Sequence, residues 1–322
     1  MVTMRRLGYL ALVIGFAQVV FGAIVRITGS GMGCGDHWPD CYGSFTPAHS
    51  GPSLLVEISH RYGAGALTLA IVALVAAAWL KRNEPGVGGR GGVLRPSLLA
   101  ILLVIVAALF GAVTVKMALN PLVVVTHITI AMSLLAVLVI VVVRAGGFGA
   151  ATVPARYQRT MRSGIAAAGL TFLILVFGAL TANTPGAAVA CLGFPWCRAI
   201  TMGGAPLYIQ VTHRILAFML LGHLIGIVIG VRKRGEARAI RNAAWTALGI
   251  VILQVFVAAA MVEMHLPPTL RALHQAVGTA LWISVVTLAA LAAGTRGTSD
   301  IERIVYDSPS RGEFATPEGV AT

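Results

Sequence analysis

Charge is what this chain has least of. Asp, Glu, Lys and Arg make up 11% of its 322 residues, where a soluble domain carries about a quarter. So few charges cannot cover a water-facing surface, which excludes an ordinary soluble enzyme. Acidic residues are especially scarce: 11 against 24 basic ones, with a formal net charge of +13. Cysteine is sparse too, with four residues. Apolar residues fill the gap. They make up 57% of the chain, and mean hydropathy is +0.87. Runs such as "YLALVIGFAQVVFGAIV" and "SLLAILLVIVAALFGAVTV" approach the ~20 apolar residues needed to cross a bilayer. The opening run is longer than the core of a signal peptide and has no small-residue cleavage pattern. It reads as a retained helix.

Eight spans are expected, at about 7–27, 53–80, 97–117, 121–143, 161–182, 206–231, 243–263 and 269–293. The basic excess suggests nucleic acid until it is placed. Arg5 and Arg6 precede the first span. Lys81, Arg82, Arg90 and Arg95 follow the second, and Arg144, Arg156, Arg159 and Arg162 follow the fourth. Arg232, Lys233, Arg234, Arg238 and Arg241 follow the sixth, and Arg296, Arg303 and Arg311 lie in the tail. Thus 18 of the 24 basic residues fall on one side. This is a topology signal with both termini cytoplasmic, and attraction to anionic lipid is secondary. The loops at 28–52 and 183–205 then face outward, and they hold all four cysteines. The "GCGDHWPDCYG" stretch at 33–43 could be a metal site, a redox dithiol or a structural staple. Outside the cytoplasm thiols oxidise, so one disulfide per loop is the natural pairing: Cys34–Cys41 and Cys191–Cys197.

The chain repeats itself. "VFGAIV" (20–25) returns as "VFGALT" (176–181), and "EISHR" (57–61) as "QVTHR" (210–214). "VKMALNP" (115–121) returns as "VEMHLPP" (262–268), and "VVTHITIAMSLL" (124–135) as "RALHQAVGTALW" (271–282). The expected fold class is an all-α integral membrane protein, with eight transmembrane helices as two pseudo-symmetric four-helix bundles. The expected domains are an N-terminal half at 1–146, a C-terminal half at 147–294 and a disordered cytoplasmic tail at 295–322.

Four of the eight histidines obey the repeat: His60 with His213, and His127 with His274. Each lies six to eight residues into an even-numbered helix, roughly 9–12 Å below one surface. Two imidazoles per half at matched depth can clamp an iron porphyrin. The bland reading is interhelical hydrogen bonding. A non-haem metal would need more ligands at that depth. His37 and His49 lie in the first loop, His223 aligns with Ala70 and His265 with Ala118, so these four read as structural. Arg61 and Arg214 each follow a helical histidine and could meet haem propionates. Glu57 precedes His60 by one helical turn, whereas its counterpart is Gln210. An intramembrane carboxylate in one half only suggests that the N-terminal half does the chemistry. The bland reading is a solvated acid near the surface. Glu263, aligned with Lys116, reads as interfacial.

These residues resemble the haem A synthase family. The matching pieces are "RITGSGMGCGDHWPDC" (26–41), "EISHR" (57–61), "TH" (126–127), "THR" (212–214) and "LH" (273–274). The resemblance implies oxidation of the position-8 methyl of haem O to a formyl group by hydroxylation steps with water-derived oxygen. The product would be haem A for terminal oxidases. It implies that His60 and His127 ligate substrate haem O, that His213 and His274 ligate a resident haem b, and that Glu57 acts near the reacting methyl. The expected location is the cell membrane as a multi-pass protein. Expected partners are membrane lipid, haem O, the haem O-forming enzyme and an electron acceptor, with no nucleic acid. A dihaem b-type electron-transfer protein is the main rival. A transporter would require helices broken at mid-membrane, whereas the Gly and Pro residues fall mainly in loops.

Overall fold

The computed structural model describes residues 1–45, 51–153 and 156–294. The expectations for His49 and for the tail from 295 fall outside them. Eight helices are long and apolar enough to cross a membrane. They are α1 (Val2–Ile27), α2 (Pro52–Leu80), α3 (Leu94–Lys116), α4 (Pro121–Arg144), α5 (Gln158–Asn183), α6 (Ala205–Lys233), α7 (Arg238–Glu263) and α8 (Pro268–Ala293). α5 and α7 begin earlier than the hydropathy pattern suggests. Arg159, Arg238 and Arg241 lie in the added turns, beyond the expected apolar stretch. Hydropathy marks the part that avoids water, while the backbone keeps its helical hydrogen bonds further out.

Every even-numbered helix starts with Pro in its first turn, where the missing N–H has no intrahelical partner to lose. Asn120 also caps α4 by accepting from the Leu122 amide at 3.0 Å. The α3–α4 and α7–α8 turns reverse within a few residues. They do so through left-handed pairs at matching positions: Ala118 and Leu119 (φ 48° and 60°), then His265 and Leu266 (φ 61° and 63°). Non-glycine residues enter this region at a cost. His265 is therefore a turn residue.

α1 packs on α2 and α4, and α3 packs on the same two helices; α5 packs on α6 and α8, and α7 packs on the same two. The two groups meet through α1, α4, α5 and α8. α8 is the most enclosed helix, with 61% of its most apolar window buried. Leu281, Val285 and Leu288 of α8 join Met132, Leu135 and Leu138 of α4 in one core. The Trp282 indole N–H donates to the Met132 carbonyl at 2.8 Å, tying the two helices across that core. In the second loop, β1 (Cys191–Leu192) and β2 (Ala199–Ile200) pair antiparallel.

A buried polar clasp lies at the end opposite the cysteine loops. Thr160 donates to Glu236 Oε1 at 2.6 Å, and Arg234 donates to Glu236 at 2.6 Å and to the Thr160 hydroxyl at 2.7 Å. It holds the start of α5 to the α6–α7 connection.

Candidate functional site

Glycines seat three of the four repeat-matched imidazoles. A Cβ at Gly22 would stand 3.1 Å from the His60 ring, and one at its counterpart Gly178 would stand 2.9 Å from the His213 ring. Gly111 lies against His127, with 3.5 Å left for a Cβ. The repeated "VFGA" motif is thus a place where the Cε1 edge of a ring comes close to a helix backbone, an approach that glycine permits.

The His213 and His274 rings meet edge to face, with centroids 6.4 Å apart and planes inclined by 69°. His60 and His127 stand on α2 and α4, which both pack on α1 and α3.

Three of the four rings also have a polar partner. Nδ1 of His213 meets the Ile174 carbonyl at 3.0 Å. A carbonyl only accepts, so Nδ1 carries the proton and Nε2 keeps its lone pair. The position equivalent to Ile174 is Gln18, whose Nε2 lies 2.9 Å from His60 Nδ1 and 2.6 Å from the His60 carbonyl. On the other pair the arrangement is crossed. Gln254 Nε2 lies 3.1 and 3.3 Å from Nδ1 and Nε2 of His274 and 3.0 Å from the His274 carbonyl. Its counterpart is Ala107, and Nδ1 of His127 has no hydrogen bond. Sequence reading missed Gln18 and Gln254. Their signal was a lone amide inside each of two otherwise apolar runs.

Residues expected to touch substrate also fasten the loops. Glu57 is buried. It accepts from the Cys34 amide at 2.9 Å and pairs with Arg61. Gln210 does the equivalent job, accepting from the Cys191 amide at 2.6 Å and donating to the Ala188 carbonyl at 3.0 Å. Arg61 donates to the Asp40 carbonyl at 2.7 Å. Arg214 donates to the Gly193 and Cys191 carbonyls at 2.7 and 2.8 Å. Both disulfides, Cys34–Cys41 and Cys191–Cys197, are formed. Lys116 reaches Asp36 at 3.5 Å, and its counterpart Glu263 pairs with Arg198, so the same tether recurs with its charges reversed. Each loop is a fastened cap over its histidine pair.

The other histidines lie elsewhere. His37 stacks near Tyr42, with centroids 5.0 Å apart. His223 meets the Ser163 carbonyl at 3.0 Å. It lines a cavity of about 620 Å³ between α5 and α6 that contains none of the four paired rings.

An imidazole binds a divalent metal at about 2 Å, so two on opposite sides of one ion have ring centres roughly 6 Å apart. The His213–His274 pair fits that spacing. Nδ1 of His127 and Oε1 of Gln254 are buried without a hydrogen bond. Buried polar atoms are rarely left so, and both lie beside the paired rings. The spacing of His213 and His274 would suit a porphyrin metal held between them.

The chain is 30% identical over 234 residues to a protein of Bacillus pumilus named heme A synthase, covering 67% of this chain and 71% of that one. A Lysinibacillus sphaericus protein of the same name is 29% identical over 264 residues, covering 79% and 83%. One from Bacillus licheniformis is 27% identical over 270 residues, covering 82% and 87%. The family model COX15-CtaA, cytochrome oxidase assembly protein, matches residues 5–286, and the chain belongs to that family.

Proposed function

We propose that this protein makes haem A, oxidising the position-8 methyl of haem O to a formyl group. The observation that carries the reading is the edge-to-face His213–His274 pair in a chain whose relatives are named heme A synthase. In this reading His213 and His274 hold a resident haem b, and His60 and His127 hold haem O. The resident haem supplies one-electron redox chemistry when bound. The protein is an oxidoreductase of the cell membrane. Its halves, 1–146 and 147–294, are pseudo-symmetric four-helix bundles with both termini cytoplasmic. Support for the symmetry comes from Arg26 of α1, which donates at 3.2 Å to the carbonyl of Ala182, its own repeat counterpart. Equivalent residues meet where an axis would pass. Support for the orientation is the basic excess at the other end.

Turning a methyl into a formyl group with water as oxygen source releases four electrons and four protons. Glu57 acts here beside the reacting methyl, close to His60. Its carboxylate stabilises positive charge developing at that carbon and accepts a proton from the attacking water. Arg61 pairs with the carboxylate and orients it. The guanidiniums of Arg61 and Arg214 secure the caps, and their remaining N–H groups are what they offer a propionate. Membrane lipid, the haem O-forming enzyme and an electron acceptor are its partners. The reading is tested by co-expression with a haem O source and mass analysis of extracted haems.

One observation favours the dihaem electron carrier as second reading. Glu57 and Gln210 hold their loops alike, so the acid has a structural duty too. A carrier would yield protohaem alone on extraction.

A further inference from the structure

Six basic residues lie at the cysteine-loop end: Arg26, Arg61, Lys116, Arg198, Arg214 and Arg271. Four have clear duties. Arg61, Lys116 and Arg198 pair with carboxylates, and Arg214 is bound by loop carbonyls. Arg26 and Arg271 are different. Both are partly buried, and among the described residues neither has a carboxylate within ion-pair distance. The hydrogen bond of the Arg26 guanidinium goes to the Ala182 carbonyl. The helices that carry them, α1 and α8, pack against each other. Arg271 sits in the first turn of α8, where the helix dipole opposes a cation. Two guanidiniums without a carboxylate on packed helices, at low dielectric, favour an anion between them.

Their positions say which anion. Arg26 lies one turn beyond Gly22, the seat of the His60 ring, and so on the same face of α1. Arg271 lies one turn before His274, on the same face of α8. Each cation thus stands about one turn, ~5 Å, toward the cysteine loops from a paired imidazole.

We propose that Arg26 and Arg271 form a carboxylate receptor for the porphyrin propionates, at the junction of the two halves. Arg271 takes a propionate of the porphyrin held by His213 and His274. Arg26 takes one from the porphyrin held by His60 and His127. The proposal rests on the haem reading of both pairs. It also couples them, since carboxylates at one site relieve repulsion felt at the other.

The test titrates the purified protein with protohaem and with its dimethyl ester, which lacks free carboxylates. Binding is followed by the bis-imidazole spectrum. The two sites are read separately in His60→Ala and His213→Ala backgrounds. The parent backgrounds should prefer the free acid by at least about tenfold, the scale of a charge-assisted contact. Arg271→Gln should lose about tenfold of that preference at the His213–His274 site, and Arg26→Gln at the His60–His127 site. The Arg26→Lys/Arg271→Lys protein should keep most of it, which separates charge from folding. Arg271→Gln should also lower the midpoint potential of the haem at its site, because a nearby cation favours the reduced form. Full preference in both Gln variants overturns the receptor, as would arginines that bind only lipid phosphate and leave ester discrimination unchanged. No bis-imidazole spectrum with either ligand in the unsubstituted protein would instead overturn the haem reading and the receptor with it.

Discussion

Glu57 accepts a hydrogen bond from the backbone amide of Cys34 at 2.9 Å, fastening the first cysteine of one loop to the helix that carries His60. Gln210 does the same for Cys191 with an uncharged amide. The protein thus contains its own control for Glu57→Gln. The variant should keep the latch, as Gln210 does, and lose only the charge. We predict a stability cost of up to about 3 kcal/mol, because Arg61 loses its buried partner, with formation of haem A reduced at least tenfold and both porphyrin sites still filled. Glu57→Ala should also cost about 1–3 kcal/mol, because it strands a buried amide. Thermal unfolding together with haem extraction checks both, and near-normal haem A output from Glu57→Gln would refute the catalytic role.

Gly178→Ala puts a methyl 2.9 Å from the His213 ring, so the imidazole must move. Loss of the resident haem spectrum is expected, with the His60–His127 site unaffected. Gly22→Ala should do the reverse. Gly169→Ala, where a Cβ meets nothing within 4 Å, should change neither. Absorbance spectra of the purified variants decide this.

Gln254→Leu removes the amide beside His274, and Gln18→Leu removes the one beside His60. Groups behind a metal-ligating histidine are typically worth 10–100-fold in metal affinity. Gln254→Leu should weaken retention of the resident haem by that factor, and Gln18→Leu should weaken haem O retention. Haem content after gel filtration measures each.

Cys34→Ser/Cys41→Ser opens a short loop, which loop-closure arithmetic values at roughly 2–3 kcal/mol. The double variant should unfold at lower temperature with turnover preserved, because Arg61 and Glu57 still hold the cap. Stable protein with lost turnover would point instead to a redox role for the dithiol.

The spans, the repeat and the paired histidines were legible in the sequence because each repeats a chemical pattern along the chain. The disulfides followed from which loops hold cysteine. The duties of Glu57, Arg61 and Arg214 in the caps were not legible. Their partners are backbone groups more than 15 residues away, and a backbone amide leaves no mark in a sequence. Arg26 and Arg271 were missed for a related reason. What sets them apart is the lack of an acid in three dimensions, although 245 positions separate them along the chain. Helix ends ran past the hydropathy pattern wherever arginines continued the helix.

Co-expression of the protein with a haem O source, followed by mass analysis of haems extracted from the membranes, tests the central claim most directly. The account predicts haem A, with a hydroxylated intermediate, and its disappearance in Glu57→Gln while haem O accumulates. Protohaem and unchanged haem O alone, from protein carrying both porphyrins, would contradict it.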